Sequence, residues 1–289
     1  MKISNCFRAL LSLIFVTGGM VSSGTTFAAV SCSVSVTPMS VVYDPTVATE
    51  NITTGTVTIS CTRAITDANT FAYTVAANNG VQPNGSTNRV QLVAPNRYNY
   101  ELYRLSPYNT TNRWQTSVAN RISGTINFGA ALAASNTAPF DLRVPGSQTV
   151  VPAGSYTDTV TVTLRNSVGT TINTNAFGVT VITTNSCQLS TPPGNINFVY
   201  SSFQVAASTA NTTFRARCTS GLPYTLALDA TSGTLLGLNY SISLSSTSTT
   251  GTGIAQLFTI SGTIAAGQAG TCATATCNGN QSRTITVTY

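Results

Sequence analysis

The chain has 289 residues, only 7% of them charged, and no histidine; a typical soluble protein is about a quarter charged. That composition excludes a Ser-His or Cys-His nucleophile, a histidine general base and a histidine zinc ligand. The sole lysine, Lys2, lies in a removable leader, so a Ser–Lys pair is excluded too. Beyond the N-terminus no apolar run approaches the ~20 residues that span a bilayer. The bulk is Thr, Ser, Asn, Ala, Val and Gly, which favours strands and points away from an enzyme.

Residues 1–29 read as a secretory signal. Lys2 and Arg8 form a positive n-region, Ala9 to Val16 a short apolar stretch, and Thr26-Phe27-Ala28-Ala29 a small-residue cleavage zone. The product is expected to leave the cytoplasm for the periplasm and the cell surface or medium, its mature chain beginning within a few residues of Cys32. Losing Lys2 and Arg8 lowers the net charge from +6 to +4, and the remaining arginines are scattered. Arg215 and Arg217, the closest pair, share one face of a strand, with no basic stripe of the kind nucleic acid requires.

Cleavage also removes Cys6 and leaves Cys32, Cys61, Cys187, Cys218, Cys272 and Cys277. An exported chain with an even cysteine count is read as disulfide-bonded, though six cysteines allow 15 pairings. Internal repetition narrows them, because Cys32 to Cys61 and Cys187 to Cys218 enclose segments of nearly equal length. Cys32–Cys61 and Cys187–Cys218 are therefore paired, with Cys272–Cys277 by exclusion. Metal binding at Cys272-x4-Cys277 is the competing reading, weakened by the lack of histidine and the oxidising compartment.

Strict alternation recurs along the chain, at Val57 to Thr62, Thr159 to Leu164 and Thr284 to Tyr289, each run placing apolar residues on one face and Thr on the other. Turn signals lie between, at Asn78-Asn79-Gly80, Asn84-Gly85, Val144-Pro145-Gly146, Asp229 to Gly233 and Asn278-Gly279. Many short strands with no sustained helical period predict an all-β sandwich. The halves also match in order. Ser31-Cys32 and Ser186-Cys187 open them, Cys61-Thr62 and Cys218-Thr219 end a strand in each, and a Tyr-containing run follows at Tyr98 to Tyr103 and Leu238 to Ile242. The chain thus divides into a leader (1–29), a first sandwich (30–165), a linker or completing strand (166–185) and a second sandwich (186–289).

On these residues each half resembles the spore coat protein U domain, the module of subunits of archaic chaperone–usher pili. In the first half the resemblance rests on Ser31-Cys32, Tyr43-Asp44-Pro45, Gly55 to Thr62, Tyr100-Glu101-Leu102-Tyr103 with Trp114, and above all Val151 to Val162. In the second it rests on Cys218 to Leu226, Ser261 to Gln268 and the terminal Thr-Val-Thr-Tyr. The second half departs where Cys272 and Cys277 precede Ser282-Arg283-Thr284. The resemblance implies immunoglobulin-like sandwiches, the second lacking its last strand until a neighbouring subunit donates one. It also implies a periplasmic chaperone, an outer-membrane usher and a next pilin subunit as partners.

A mature N-terminus so near Cys32 leaves no room for a donor segment, so the chain is expected at the tip of a fibre, mediating attachment to an abiotic or host surface and biofilm formation. The alternative is a secreted coat or matrix protein. Phe177, Val179 and Val181 alternate ahead of Cys187, where a donor strand would stand. They are read as completing the first sandwich from within, or as its ordinary last strand. The uncharged run Ile126 to Ala134 is read either as a core element or as an apolar adhesive loop, with Ile126, Phe128, Ala130 and Leu132 its candidates. Tyr98, Tyr100, Tyr103, Tyr108 and Trp114 are assigned to packing. Asp44, Asp67, Glu101, Asp141 and Asp158 are read as isolated turn or surface acids. No catalytic, metal or cofactor constellation emerges.

Overall fold

The first alternating runs become strands that cover one another's apolar faces. The computed structural model describes residues 30–271 and 279–289, so the leader and the Cys272–Cys277 pairing lie outside the described residues. The first unit comprises β1 (Ser31–Val36), β2 (Met39–Val42), β3 (Asn51–Thr62), β4 (Thr70–Ala77), β5 (Asn88–Val93), β6 (Asn96–Tyr103), β7 (Ile122–Asn127), β8 (Ala133–Val144), β9 (Gly154–Asn166) and β10 (Thr171–Thr183). Its only helical element among the described residues is a 3₁₀ turn at Val118–Asn120. One layer runs β1-β3-β8-β6, and the other runs β2-β10-β9-β4-β7. The strand β5 bridges them, pairing with β6 and touching β9 at Gln91 and Thr157.

The core between these layers follows from period-two burial. In β9 the side chains of Tyr156, Val160, Val162 and Leu164 are fully buried while the intervening Thr residues face out. Trp114 lies between Phe140 and Phe177 and donates its Nε1–H to the Val75 carbonyl at 2.8 Å, the polar partner a buried indole requires. The segment 166–185 is not a linker. Residues 167–170 turn, β10 pairs with β9 along almost its whole length, and β10 also runs parallel to β2. Only residues 184–186 remain between the units.

The second unit comprises β11 (Cys187–Thr191), β12 (Ser208–Cys218), β13 (Pro223–Leu228), β14 (Ser232–Leu235), β15 (Leu238–Leu244), β16 (Ser248–Thr250), β17 (Gln256–Ile264) and β18 (Ile285–Thr288). Its layers are β11-β12-β17-β15-β14 and β16-β13-β18. Disulfides Cys32–Cys61 and Cys187–Cys218 join the first strand of each unit to its neighbour, as the internal repetition predicts.

A shared polar brace confirms the duplication. Gln148 accepts from the Asn99 amide at 2.7 Å and donates to the carbonyls of Asn99 and Pro145, while Tyr43 donates to the same Pro145 carbonyl. In the second unit Gln268 accepts from the Asn239 amide at 2.7 Å and donates to Asn239 and Ala265, and Tyr200 donates to Ala265. Tyr43 and Tyr200 therefore occupy equivalent positions, as do Tyr100 and Tyr240.

Candidate functional site

Two features of the molecule are chemically unusual: a groove in the second sandwich and an apolar end on the first.

The groove exists because the second unit has no counterpart of β10 among the described residues. In the first unit Val160, Val162 and Leu164 of β9, with β10 paired alongside, are fully buried. Their equivalents on β18, Ile285 and Val287, are only part-buried, and Tyr289 is 59% exposed. On the opposite rim, residues 196–200 alternate inward and outward like β2, with Ile196, Phe198 and Tyr200 packed against the second core. They have no strand partner among the described residues, whereas β2 has β10. Between the rims lies a cavity of about 850 Å³ floored by Ile242, Ile260 and Ile264. Unpaired backbone on both rims with apolar side chains between them is the geometry that accepts an extended peptide.

Arg283 enters this groove. It donates to the Tyr240 hydroxyl at 2.9 Å and the Ser232 carbonyl at 2.9 Å, and Asp229 stands 3.9 Å away. In the first unit the equivalent position holds Asp158, which is buried. It accepts from the Tyr100 hydroxyl at 2.7 Å and from the amides of Val81 and Thr159 at 2.8 Å. Burial and the neighbouring carboxylate together hold the Tyr100 hydroxyl far above its ordinary range.

The apolar end follows from how the units are joined. Gln188 donates to the Thr46 carbonyl at 3.3 Å and Arg217 to the Gln148 carbonyl at 3.5 Å. Gly253, at φ +77°, approaches Val150 so closely that a Cβ would lie 2.1 Å from its carbonyl oxygen. The loops after β2 and β8 thus face the second unit. The opposite ends of the strands carry the loops at 63–69, 128–132 and 167–170. Each presents an exposed aliphatic residue: Ile65 at 82%, Leu132 at 51% and Val168 at 82% exposure. Arg63 ties two of these loops together through the carbonyls of Gly129, Ala131 and Asp67.

The adhesive-loop reading needs correction at two residues. Ile126 and Phe128 are buried in the first core, because Ile126 faces inward from β7 opposite Phe71. Ala130 and Leu132 lie exposed in the turn that follows. Phe177, Val179 and Val181 are buried in the first core. Tyr98, Tyr100, Tyr103 and Trp114 are also buried, as packing demands. Glu101 and Asp158 are not surface acids. Glu101 pairs with Arg113 at 3.1 Å, and burial pushes its carboxyl up to about 7 against the pull of that arginine. The reading by sequence missed Ile65, Val168, Arg283 and the Gln148 and Gln268 braces. The braces had a legible signal, since each Gln follows the last residue of its strand, Val144 or Ile264, at the same interval.

Residues 20–163, which take in β1 to most of β9, match the Spore Coat Protein U domain. No curated protein matches the chain. Similar solved structures include the CsuC–CsuE chaperone–tip adhesion subunit pre-assembly complex from archaic chaperone–usher Csu pili of Acinetobacter baumannii (13% identity, 90% of this chain and 100% of that one, TM-score 0.46). The CupB6 tip adhesin from Pseudomonas aeruginosa is another (9% identity, 75% and 80%, TM-score 0.36). A third is the CooA pilin subunit from enterotoxigenic Escherichia coli (14% identity, 52% and 97%, TM-score 0.31).

Proposed function

We propose that the chain is the tip adhesin of an archaic chaperone–usher pilus, serving surface attachment and biofilm formation. The observation that carries this reading is the unequal completion of two copies of one sandwich. The first copy is closed by its own β10, while the second ends at β18 with a groove open. A first unit closed by its own strand takes no donor strand, so a fibre's donor strand enters at the second unit. The donor strand comes from the next pilin subunit. A periplasmic chaperone occupies the groove beforehand, and an outer-membrane usher exports the complex to the cell surface. Each inward apolar side chain of a donor strand contributes about 1.5–3 kcal/mol when fully buried, and its backbone caps an edge that otherwise invites aggregation.

Ile65, Leu132 and Val168 are the contact residues for an apolar surface, abiotic or host. The placement of all three at the end remote from the second unit supports that assignment. Combined Ile65→Ser, Leu132→Ser and Val168→Ser substitutions are expected to abolish binding to hydrophobic plastic while leaving the near-ultraviolet circular dichroism intact. Unchanged binding would remove the adhesive assignment. Immunogold labelling of the chain on intact fibres is expected at fibre ends, and labelling along the shaft would overturn the tip position.

A further inference from the structure

The junction inside this chain shows what the free end of the second unit is shaped to meet. β12 and β17 pair from Ala216 and Gln256 near the junction to Ser208 and Ile264 at the far end, where residues 201–206 and 265–270 form the pole. The loops after β2 and β8 hold the same place in the first unit, where they seat the second. Equivalence of Tyr43 with Tyr200 and of Gln148 with Gln268 aligns the two poles residue by residue. The Val47 amide donates to the Asp44 carbonyl, as the Gln204 amide does to that of Ser201. The Ser147 amide donates to the Val47 carbonyl at 3.0 Å, and the Gly267 amide to the Gln204 carbonyl at 2.8 Å. Thr46 therefore falls on Phe203, Ala48 on Val205 and Val150 on Gly270.

The poles differ in what they show to water. At the junction Val150, which packs in neither sandwich core, is buried against Gly253. At the far pole the apolar side chains stand on the other loop, with Phe203 69% and Val205 99% exposed. That loop is braced. The Phe203 amide donates to the Gln268 carbonyl at 2.8 Å and the Ser202 hydroxyl to the Ala269 carbonyl, while the Gln204 side chain bonds the Ser201 amide and the Ala206 carbonyl. Phe203 is held at φ +57°, a left-handed conformation disfavoured for a bulky residue. Bracing that keeps an aromatic ring and a valine out in water, on a strained backbone, marks a contact surface.

The path of the chain identifies the occupant. β10 ends beside Tyr43, whose amide donates to the Ile182 carbonyl at 2.8 Å, and after residues 184–186 the chain enters β11. The pole of the first unit meets the second because β10 leaves its groove there. A strand filling the second groove in the same direction leaves it beside Tyr200, and the body that follows is set against Phe203 and Val205.

We propose that residues 201–206 and 265–270 are a docking surface for the next subunit of the fibre, with Phe203 and Val205 packing on that subunit where its donor segment passes into its first strand. This rests on the second unit accepting a donor strand and adds a separate contact outside the groove. The matching surface is the counterpart of the one that carries Gln188, Arg217 and Gly253 here.

Photo-cross-linking on assembled fibres tests it, with p-benzoylphenylalanine placed singly at Phe203, Val205, Tyr289 or Leu257 of the full-length chain. Tyr289 reports on the groove, and Leu257, exposed at the junction end of β17, is the control. Positions 203 and 205 are expected to capture the same pilin as position 289, at residues directly following its donor segment, and position 257 to capture none. Capture from position 289 but not from 203 or 205 overturns the docking surface and leaves the acceptor reading intact. Capture of the chaperone alone from 203 and 205 overturns it as well. If no position captures a pilin, the acceptor reading itself fails. Phe203→Ser with Val205→Ser should keep the cross-link from position 289 yet speed loss of the chain from fibres in denaturant about tenfold, since contact losses act mainly on dissociation. An unchanged rate would refute the contact.

Discussion

The two sandwiches are one design finished to different degrees, and the difference lies in a single strand. In the first, β10 covers β9 and β2, so Val160, Val179 and Val181 are fully excluded from water. In the second, the same faces on β18 and residues 196–200 are left part-exposed around an open groove. The braces at Gln148 and Gln268 are nearly identical in their Asn contacts, so the frame does not depend on the last strand. What depends on it is the burial of the core. One contiguous segment therefore decides whether the core of a module is closed or left with an open groove.

The largest effect expected of any substitution is unequal loss of the two disulfides. Chain-entropy arguments give each about 3–4 kcal/mol, but only the first unit has a complete core to absorb the loss. Cys187→Ser with Cys218→Ser should leave the second unit unfolded and protease-sensitive at 37 °C. Cys32→Ser with Cys61→Ser should lower the melting temperature of the first unit without unfolding it, as limited proteolysis of each variant would show. Equal sensitivity of the two units would break the comparison.

Comparable in free energy, without unfolding a unit, is Phe177→Ala. It removes a ring packed against Trp114 and Phe140 and should cost about 3–5 kcal/mol, seen in urea melts followed by the fluorescence of Trp114, the sole tryptophan. A loss below about 1 kcal/mol would mean that β10 does not complete the first core.

Gln148→Ala and Gln268→Ala should each cost about 1–2 kcal/mol, each confined to its own unit. This sharpens the claim that the brace is independent of the last strand, and exchange protection at Asn99 and Asn239 reports it.

An electrostatic effect of similar size comes from Glu101. Because burial raises the Glu101 carboxyl to about 7 in the folded state, the native protein holds this proton at pH values where the unfolded chain has released it. Stability from this group is therefore fully present below about pH 4.5 and declines as the pH rises toward 7, by about 1–3 kcal/mol over that window. Melting temperatures of the first unit should fall across the window and flatten in Glu101→Gln. A rise with pH attributable to Glu101 would contradict the assignment.

Much of this molecule was legible before its fold was known. Alternation in Thr159 to Leu164 and Thr284 to Tyr289 located two equivalent strands and their inward faces. The repeated Ser-Cys openings located the duplication and, through it, the Cys32–Cys61 and Cys187–Cys218 bonds. These are local or repeated signals, and strand geometry converts a period of two directly into two faces. Tertiary structure decided what each face meets. The run from Ile126 to Leu132 is uniformly apolar, yet Ile126 and Phe128 lie under the opposing sheet while Leu132 stands in the open turn. Ile65 and Val168 have no unusual neighbours in the chain and acquire meaning only because three loops far apart in sequence end at the same pole. Asp158 and Arg283 show the same dependence. A charged residue within an alternating strand declares its face, but whether it is satisfied depends on partners such as Val81, Tyr100 and Tyr240, which only long-range strand pairing brings within reach.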